Sequence, residues 1–341
     1  MRKARILAVL FLLLAVSAVG AYAYFRQQLK IPHASASGAT PFEIPSGLGA
    51  REVLKLLHEH DVIANERLAL AYLAISGNRK GLKAGEYLFD KPMTIPEVID
   101  KLVNGAIYLH RFTVPEGLTV AEIGAAWETQ GFGKAAEFAE AAASSGDLVK
   151  DFERNDKPSV EGYLFPETYS FPTRTKARKA IEAMVARFRV VLDQVKKQIP
   201  ADAWPLKARE TLILASLVEE EAKLDDERPL IASVFVNRLK KQTLLQCDPT
   251  VIYALERVNQ YHGQLLSADL KFDSPYNTYK YAGLPPGPIS NPGRRSLEAA
   301  ARPASTAYLY FVRTTEQHHT FSETLAAHNR AVAAYRAMKK K

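Results

Sequence analysis

The longest apolar stretch of the chain lies close to its N-terminus. Ile6 to Phe25 spans 20 residues without a charged side chain, which is about the length that an α-helix needs to cross a bilayer. Three basic side chains among residues 1–5 precede it, and the positive-inside rule leaves such residues in the cytoplasm. We therefore predict a cytoplasmic tail (1–5), one transmembrane helix (6–25) and an exported remainder, anchored as a single-pass protein in the cytoplasmic (inner) membrane.

A cleaved signal peptide is the competing interpretation of the same stretch. The sequence Ala21-Tyr22-Ala23 resembles the small-x-small pattern of a cleavage site. However, the apolar run is longer than the core of an ordinary signal peptide, and Tyr22, Tyr24 and Phe25 are typical of an aromatic belt at a membrane interface. We favour the uncleaved anchor.

Composition excludes several classes of function. The chain has 45 basic and 37 acidic residues and a net charge of +8, but no basic stripe is interleaved with aromatic residues, so we expect no nucleic-acid partner. Cys247 is the single cysteine, which excludes an intrachain disulfide. HExxH, paired CxxC and Gly-rich phosphate-loop motifs are absent from the sequence. We expect neither a metal nor a cofactor.

The first exported region contains an internal repeat. A Pro/Ser/Gly/Ala-rich stretch at 26–40 is typical of a linker. After it, FEIPSGL (42–48) and FTVPEGL (112–118) align at a spacing of 70 residues. Each segment is a short strand ending in a turn and followed by an amphipathic helix. We interpret 42–104 and 112–190 as two copies of a strand–helix–helix–strand–helix unit, since two copies are too few for a solenoid.

The C-terminal part is mainly helical with a small β element. Helix start signals such as Pro after an acidic residue recur there, with Asp248 as an expected N-cap. Tyr276–Gly293 is rich in Pro and Gly, which predicts an ordered loop or a flap. The predicted elements are helices at Leu206–Lys223, Pro229–Lys240 and from Asp248, a strand at Ala307–Arg313 with a partner at Thr320-Phe321, and a closing helix at Ser322–Met338. The fold class that we predict is α+β.

One helix ends on three consecutive acids. Thr211–Val218 is apolar on all sides, which indicates a buried helix, and Glu219, Glu220 and Glu221 continue it. Consecutive helical residues point about 100° apart, so the three carboxylates cannot share one task. Two small residues one turn earlier leave room beside Glu219, which favours it for a pocket. The alternative is a helix end in solvent, where the acids pair with nearby basic side chains.

Other polar residues suggest a saccharide groove around that helix. Gln246 and Asp248 flank Cys247 directly before a predicted helix, where backbone N–H groups converge. Asn277 and Tyr279 belong to the sequence YNTY, whose amide suits hydroxyl and N-acetyl groups and whose rings suit pyranose faces. Each residue alone is more often structural. Together, within a short distance along the chain, they predict a groove that binds sugars.

Seven stretches, in order along the chain, resemble the YceG-like family, the membrane-anchored endolytic murein transglycosylases. One departure is Cys247, where family members often carry Thr. The matching stretches are EGYLFPETY (161–169), ASLVEEE (215–221), ASVFVNRL (232–239), LQCDPTVIY (245–253), YNTY (276–279), GLPPG (283–287) and AYLYFV (307–312).

The resemblance implies a domain organisation and an activity. It implies a LysM-like module at 41–110 and a YceG-like catalytic domain at 111–341. The implied enzyme is a lyase, a lytic transglycosylase that cleaves the β-1,4 bond between N-acetylmuramic acid and N-acetylglucosamine in nascent glycan strands. It uses no water, leaves 1,6-anhydro ends and limits strand length. The implied partners are peptidoglycan glycan strands, the membrane and peptidoglycan synthases.

The resemblance also implies roles for single residues. Carried over position by position, the catalytic acid is Glu219, while Glu220 and Glu221 form the solvated end of the helix. The expected substrate-binding residues are Glu161, Gln246, Asp248, Asn277 and Tyr279.

Two other functions compete with this one. A membrane-tethered, non-catalytic peptidoglycan-binding scaffold that recruits cell-wall synthases would also suit the repeated modules and the linker. The other is a membrane-anchored protease, but the sequence offers no nucleophile–base pair to support it. The scaffold and the enzyme differ in whether Glu219 faces a groove lined by Gln246, Asn277 and Tyr279 or faces bulk solvent.

Overall fold

The structure is a computed structural model that describes residues 2–33, 40–77, 81–153, 158–315 and 318–339. The chain divides into two compact units. The first comprises Met1–His110 with Ser170–Thr173, and the second comprises Arg111–Tyr169 with Arg174–Lys341.

The first unit begins with the apolar helix α1. It spans Arg2–Gln28, has a mean hydropathy of 2.5 and buries none of its residues within the protein. A helix of this length and composition is compatible with a single membrane span, although a signal sequence has the same properties. It is the one such helix among the described residues.

The predicted linker is partly attached to the first unit. Residues 26–28 still belong to α1, and Leu29 is buried in the core of the unit. The backbone of His33 pairs with that of Met93. Residues 34–39 of the predicted linker lie outside the described residues.

The remainder of the first unit is a small α+β module. Its strands pair antiparallel, with Phe42 opposite Tyr87. Apolar residues of the helices pack beneath this ribbon, among them the fully buried Leu54, Val98 and Ile99. The elements are β1 (Phe42–Ile44), α2 (Ala50–Glu59), α3 (Glu66–Ile75), β2 (Gly85–Tyr87) and α4 (Ile95–Asn104).

The next five elements repeat the same order, as the sequence repeat predicts. Thr119 and Glu122 form a capping box at the start of the first helix of this copy, and its two strands pair to form a second two-stranded sheet. The elements are β3 (His110–Thr113), α5 (Val120–Thr129), α6 (Ala135–Ala143), β4 (Thr168–Phe171) and α7 (Ala177–Gln198).

The rest of the second unit, where the structure describes it, consists mainly of helices with one hairpin and a long irregular segment at 257–293, which confirms the predicted helix-dominated fold with small β elements. Every residue from 211 to 218 is buried, and the helix that carries them packs against three others of this region. The elements are α8 (Ala208–Glu221), α9 (Arg228–Lys240), α10 (Asp248–Glu256), α11 (Arg294–Ala301), β5 (Tyr310–Arg313), β6 (His319–Ser322) and α12 (Leu325–Lys339).

Two details differ from the sequence prediction. Cys247, and not Asp248, occupies the N-cap position of α10, and Asp248 is its first residue. The predicted strand at Ala307–Arg313 is shorter, because only Tyr310–Arg313 pairs with β6.

Candidate active site

The three acids at the end of α8 point into three different environments, as helix geometry requires. Glu220 and Glu221, which the sequence predicts to form a solvated helix end, are only partly exposed. Burial raises the pKa of each to about 7.

Glu219 is held in a buried ion pair. Its Oε1 accepts a hydrogen bond from Nη1 of Arg228 at 2.9 Å, and the two side chains are only 6% and 9% exposed. Its Oε2 accepts a hydrogen bond from the backbone N–H of Gly293 at 2.9 Å. Arg228 also donates to Ser296 of α11 and to Asp225. Glu219 thus links α8 to the starts of α9 and α11, and both of its oxygens are already used.

Glu220 lies on another side of the helix end. Besides burial, the neighbouring carboxylates of Glu122 and Glu219 raise its pKa, while a hydrogen bond with Ser290 lowers it. A side chain in place of Gly117 would come within 3.2 Å of its Oε1. Glu220 therefore lies against the turn that leads into α5.

Glu221 faces an open groove. Burial is the largest cause of its raised pKa, and the nearby Asp248 raises it further. Arg313 and a hydrogen bond from Cys247 act in the opposite direction. The Sγ of Cys247 lies 3.4 Å from Oε1 of Glu221. A carboxyl group of this kind retains its proton up to near-neutral pH, which a general acid requires.

The groove has a volume of about 620 Å³ and contains three of the predicted substrate-binding residues. The hydroxyl of Tyr279 donates a hydrogen bond of 2.5 Å to Oδ1 of Asp248. Gln246 adopts a left-handed backbone conformation (φ 50°), which is uncommon for a residue with a side chain and turns the chain into α10. The residues that line the groove include Glu221, Arg238, Gln246, Asp248, Tyr279, Tyr310, Arg313, His319, His328 and Tyr335.

Asn277 does not line this groove. It is completely buried, and its amide donates to the carbonyl groups of Leu270 and Phe272 at 3.0 and 2.7 Å. Its Oδ1 accepts the N–H of Tyr279 at 2.9 Å. The predicted contact with substrate is therefore replaced by a structural role: Asn277 folds the loop that presents Tyr279.

Glu161 is also separate from the groove. It is buried, and it accepts hydrogen bonds from the N–H of Val120, from Asn291 and from the hydroxyl of Tyr253. Burial raises its pKa to about 7. It lines a different and larger cavity of about 840 Å³ beside α5 and α6. Its oxygens are used to fix the start of α5, which explains its burial without a substrate.

Sequence reasoning missed the contribution of the β5–β6 hairpin to the groove. Arg238 of α9 donates hydrogen bonds to the carbonyl groups of Leu309 and Leu245 at 2.6 and 2.8 Å, and its guanidinium lies 5.0 Å from the ring of Tyr310. It thereby joins the strand to the segment that carries Gln246. The apolar sequence AYLYFVR predicts a strand but gives no sign of what that strand covers.

His319 is the second residue that the sequence did not point to. Its Nδ1 lies 2.7 Å from Oε2 of Glu227, and its backbone N–H donates to the other oxygen of the same carboxylate at 2.9 Å. The two side chains are 3% and 7% exposed. This pair attaches β6 to the start of α9, and His319 forms part of the floor of the groove.

The comparisons with known proteins agree with one another. The model of the YceG-like family matches residues 42–334. An endolytic murein transglycosylase of Bacillus subtilis (strain 168) is 36% identical over 331 residues, which cover 93% of this chain and 90% of that protein. Another, from Streptococcus pneumoniae serotype 2 (strain D39 / NCTC 7466), is 30% identical over 362 residues, covering 98% of this chain and 65% of the relative.

A solved structure is similar as well. The crystal structure of a YceG-like protein from Listeria monocytogenes has a TM-score of 0.59 and 32% sequence identity to this chain. The similarity covers 86% of this chain and 99% of that one. Since the family model spans most of the sequence and the relatives match along almost its full length, the chain belongs to the YceG-like family.

Proposed function

We propose that this protein is an endolytic lytic transglycosylase of peptidoglycan, with Glu221 as its catalytic acid. The observation that carries the proposal is the position of Glu221, a carboxyl with a pKa raised to about 7 in a groove that it shares with Gln246, Asp248 and Tyr279. The relatives named as endolytic murein transglycosylases support the same reaction.

This proposal moves the catalytic role from Glu219 to Glu221. Glu219 uses both oxygens in contacts with Arg228 and Gly293, and it is not among the residues that line the groove. Glu221 does line the groove, and burial and a neighbouring carboxylate favour its protonated form.

The reaction needs one group that first gives and then takes a proton. Protonated Glu221 donates its proton to the oxygen that joins C1 of N-acetylmuramic acid to N-acetylglucosamine, and the C1–O bond breaks. The resulting carboxylate then accepts the proton of the muramic 6-hydroxyl, whose oxygen bonds to C1. The products are a 1,6-anhydro end and a free N-acetylglucosamine hydroxyl. The acid is regenerated, and no water is consumed.

Positive charge that develops at C1 needs a stabilising group. Of the two acidic residues expected to bind substrate, Asp248 lines the groove, whereas Glu161 lines the other cavity. The hydroxyl of Tyr279 holds the carboxylate of Asp248. We propose that Asp248 assists at this step, alone or together with the N-acetyl group of the substrate.

The N-terminal helix would keep this groove near newly made glycan. We propose that α1 spans the cytoplasmic membrane once, with residues 1–5 in the cytoplasm and both compact units outside. Cleavage of strands as they leave the membrane would limit their length. From the resemblance to the YceG-like family we also propose that the module at 41–110 is LysM-like and that peptidoglycan synthases are partners.

The chemical nature of the strand ends that the protein produces tests the proposed reaction. Full-length protein in detergent is incubated with purified glycan strands, and the ends are identified by mass spectrometry. We expect new 1,6-anhydro ends in the interior of long strands. New reducing muramic acid ends would instead identify a hydrolase. If neither end forms under conditions in which the protein binds the strands, the non-catalytic scaffold is the better account.

A further inference from the structure

Cys247 is in direct contact with the proposed catalytic acid. It precedes the first residue of α10, is 1% exposed, and places its Sγ 3.4 Å from Oε1 of Glu221. Burial raises the pKa of the Cys247 thiol well above its ordinary value, and the neighbouring Glu221 raises it further. The thiol therefore keeps its proton and remains a hydrogen-bond donor over the pH range in which Glu221 titrates.

The backbone of Cys247 is fixed on both sides, so the direction of its side chain is determined by the fold. Its N–H donates to Oγ1 of Thr278 at 3.0 Å. Its carbonyl group accepts the hydroxyl of Thr250 at 2.7 Å and the N–H of the same residue at 3.1 Å. The residue before it, Gln246, donates its N–H to the carbonyl of Thr278 at 3.1 Å. Four hydrogen bonds thus hold the segment that points the thiol at Glu221.

We propose that Cys247 is a positioning residue for Glu221, whose thiol holds the carboxyl group in the groove while stabilising its ionised form only weakly. The inference rests on the proposed function of Glu221. A thiol is a weak hydrogen-bond donor, whereas a hydroxyl at the same place would bond a carboxylate more strongly. Of these two donors, the thiol orients the acid at the smaller cost to its protonated form.

Other ionisable groups around Glu221 also affect the pKa of its carboxyl group. Two charged side chains of α11 are engaged elsewhere, Arg294 with Glu298 and Arg295 with Asp225. All these groups stay the same when only residue 247 is changed. The titratable groups nearest to Glu221 or lining its groove are Glu220 on α8, Arg238 on α9, Asp248 on α10, Tyr279 in the loop between α10 and α11, Tyr310 and Arg313 on β5, His319 on β6, and His328 and Tyr335 on α12.

The pH profile of the reaction tests the proposal. The rate of anhydro-end formation is measured from pH 4.5 to 9 for the full-length wild type and for Cys247→Ser and Cys247→Ala, per amount of folded protein. The rate falls at high pH as the acid loses its proton, and the midpoint of this fall is compared. We expect Ser to move the midpoint to lower pH by roughly one unit, because its hydroxyl stabilises the carboxylate.

Cys247→Ala provides the opposite change. It removes the donor, so the midpoint moves to higher pH, and the maximal rate falls because the carboxyl is no longer held. The predicted order of midpoints is Ala, then Cys, then Ser, from high to low pH. A residue that only fills space would lower the rates without moving the midpoints. Cys247→Thr supplies a second hydroxyl variant of different shape in case the Ser protein does not fold.

The outcomes separate this inference from the proposed function. If the wild type forms anhydro ends, Glu221→Gln does not, and the midpoints of the Cys247 variants coincide, only the role of Cys247 is rejected. If Glu221→Gln is as active as the wild type, the catalytic assignment itself is rejected.

Discussion

Nη1 of Arg228 lies 2.9 Å from Oε1 of Glu219, and the side chains of the two residues are only 9% and 6% exposed. The contact joins α8 to the first turn of α9, and Ser296 on α11 shares the same guanidinium. Removal of Glu219 leaves the buried guanidinium with only the half-exposed Asp225 as its acidic partner, which is costly.

We therefore predict that Glu219→Ala lowers the free energy of unfolding by about 3–5 kcal/mol, measured by urea denaturation at pH 7. The activity that remains per folded molecule should change little. Glu140→Ala, which removes an exposed carboxylate from α6, is the control and should be nearly neutral. A Glu219→Ala protein of normal stability without activity would return the catalytic role to Glu219.

The sequence predicts the acid helix to within two residues at each end, and it predicts that the three acids diverge. What it misses is which acid reaches a groove. Small residues beside Glu219 suggested free space, but the structure fills that space. The N–H of Ile289 donates to Oγ of Ser216 at 3.1 Å, and Arg228 covers the carboxylate. Small side chains on a buried helix thus indicate close approach of another segment as readily as a pocket.

The surroundings of Glu221 come from parts of the chain that are distant in sequence. Cys247 and the β5–β6 hairpin follow it by 26 residues and more. Periodicity within α8 carries no information about them. For the same reason the sequence motifs could not tell the groove residue Gln246 from the structural residues Asn277 and Glu161.

The hydrogen bond between Tyr279 and Asp248 leads to a second prediction. Tyr279→Phe removes the hydroxyl that holds the carboxylate, so we expect kcat/KM for glycan strands to fall by about tenfold. The free energy of unfolding should be almost unchanged, because Tyr279 is only partly buried. Tyr281→Phe, which changes an exposed tyrosine of the same loop, is the matched control. Equal kinetics for the two variants would remove Tyr279 from the site.

The contact between Glu227 and His319 predicts that the free energy of unfolding depends on pH in the acidic range. Hydrogen bonds from His319 hold the pKa of Glu227 below its ordinary value, against the effect of burial. Its stabilising contribution is therefore present above the ordinary pKa of about 4.3 for a glutamate and is lost as the pH falls through the lower folded-state pKa.

Glu227→Ala should accordingly lower the free energy of unfolding by about 1.5–3 kcal/mol at pH 7, because His319 loses a charged hydrogen-bond partner. The difference from the wild type should shrink as the pH is lowered below about 4.3. Urea titrations at several pH values measure it, with Glu323→Ala as an exposed control. A difference that stays constant down to the lowest pH would contradict this account of the pair.

The contribution of Glu161 to the free energy of unfolding depends on pH in the opposite direction. Its folded-state pKa is raised to about 7 by burial, so its contribution is fully present below the ordinary value of about 4.3 and is lost as the pH rises through 7. Glu161→Gln cannot ionise. We predict that the stability of the wild type relative to this variant decreases between pH 5 and pH 8 in urea denaturation, while the KM for glycan strands stays unchanged. An increased KM with a flat stability difference would restore Glu161 to the substrate site.

The central claim is that the working acid is Glu221. The most direct test compares Glu221→Gln with Glu219→Gln in the formation of 1,6-anhydro ends from purified glycan strands, with each rate expressed per folded molecule. We predict that Glu221→Gln lowers the rate by about 10²–10⁴-fold at unchanged strand binding, and that Glu219→Gln retains most of the activity. Full activity of Glu221→Gln together with loss of activity in folded Glu219→Gln would contradict the account.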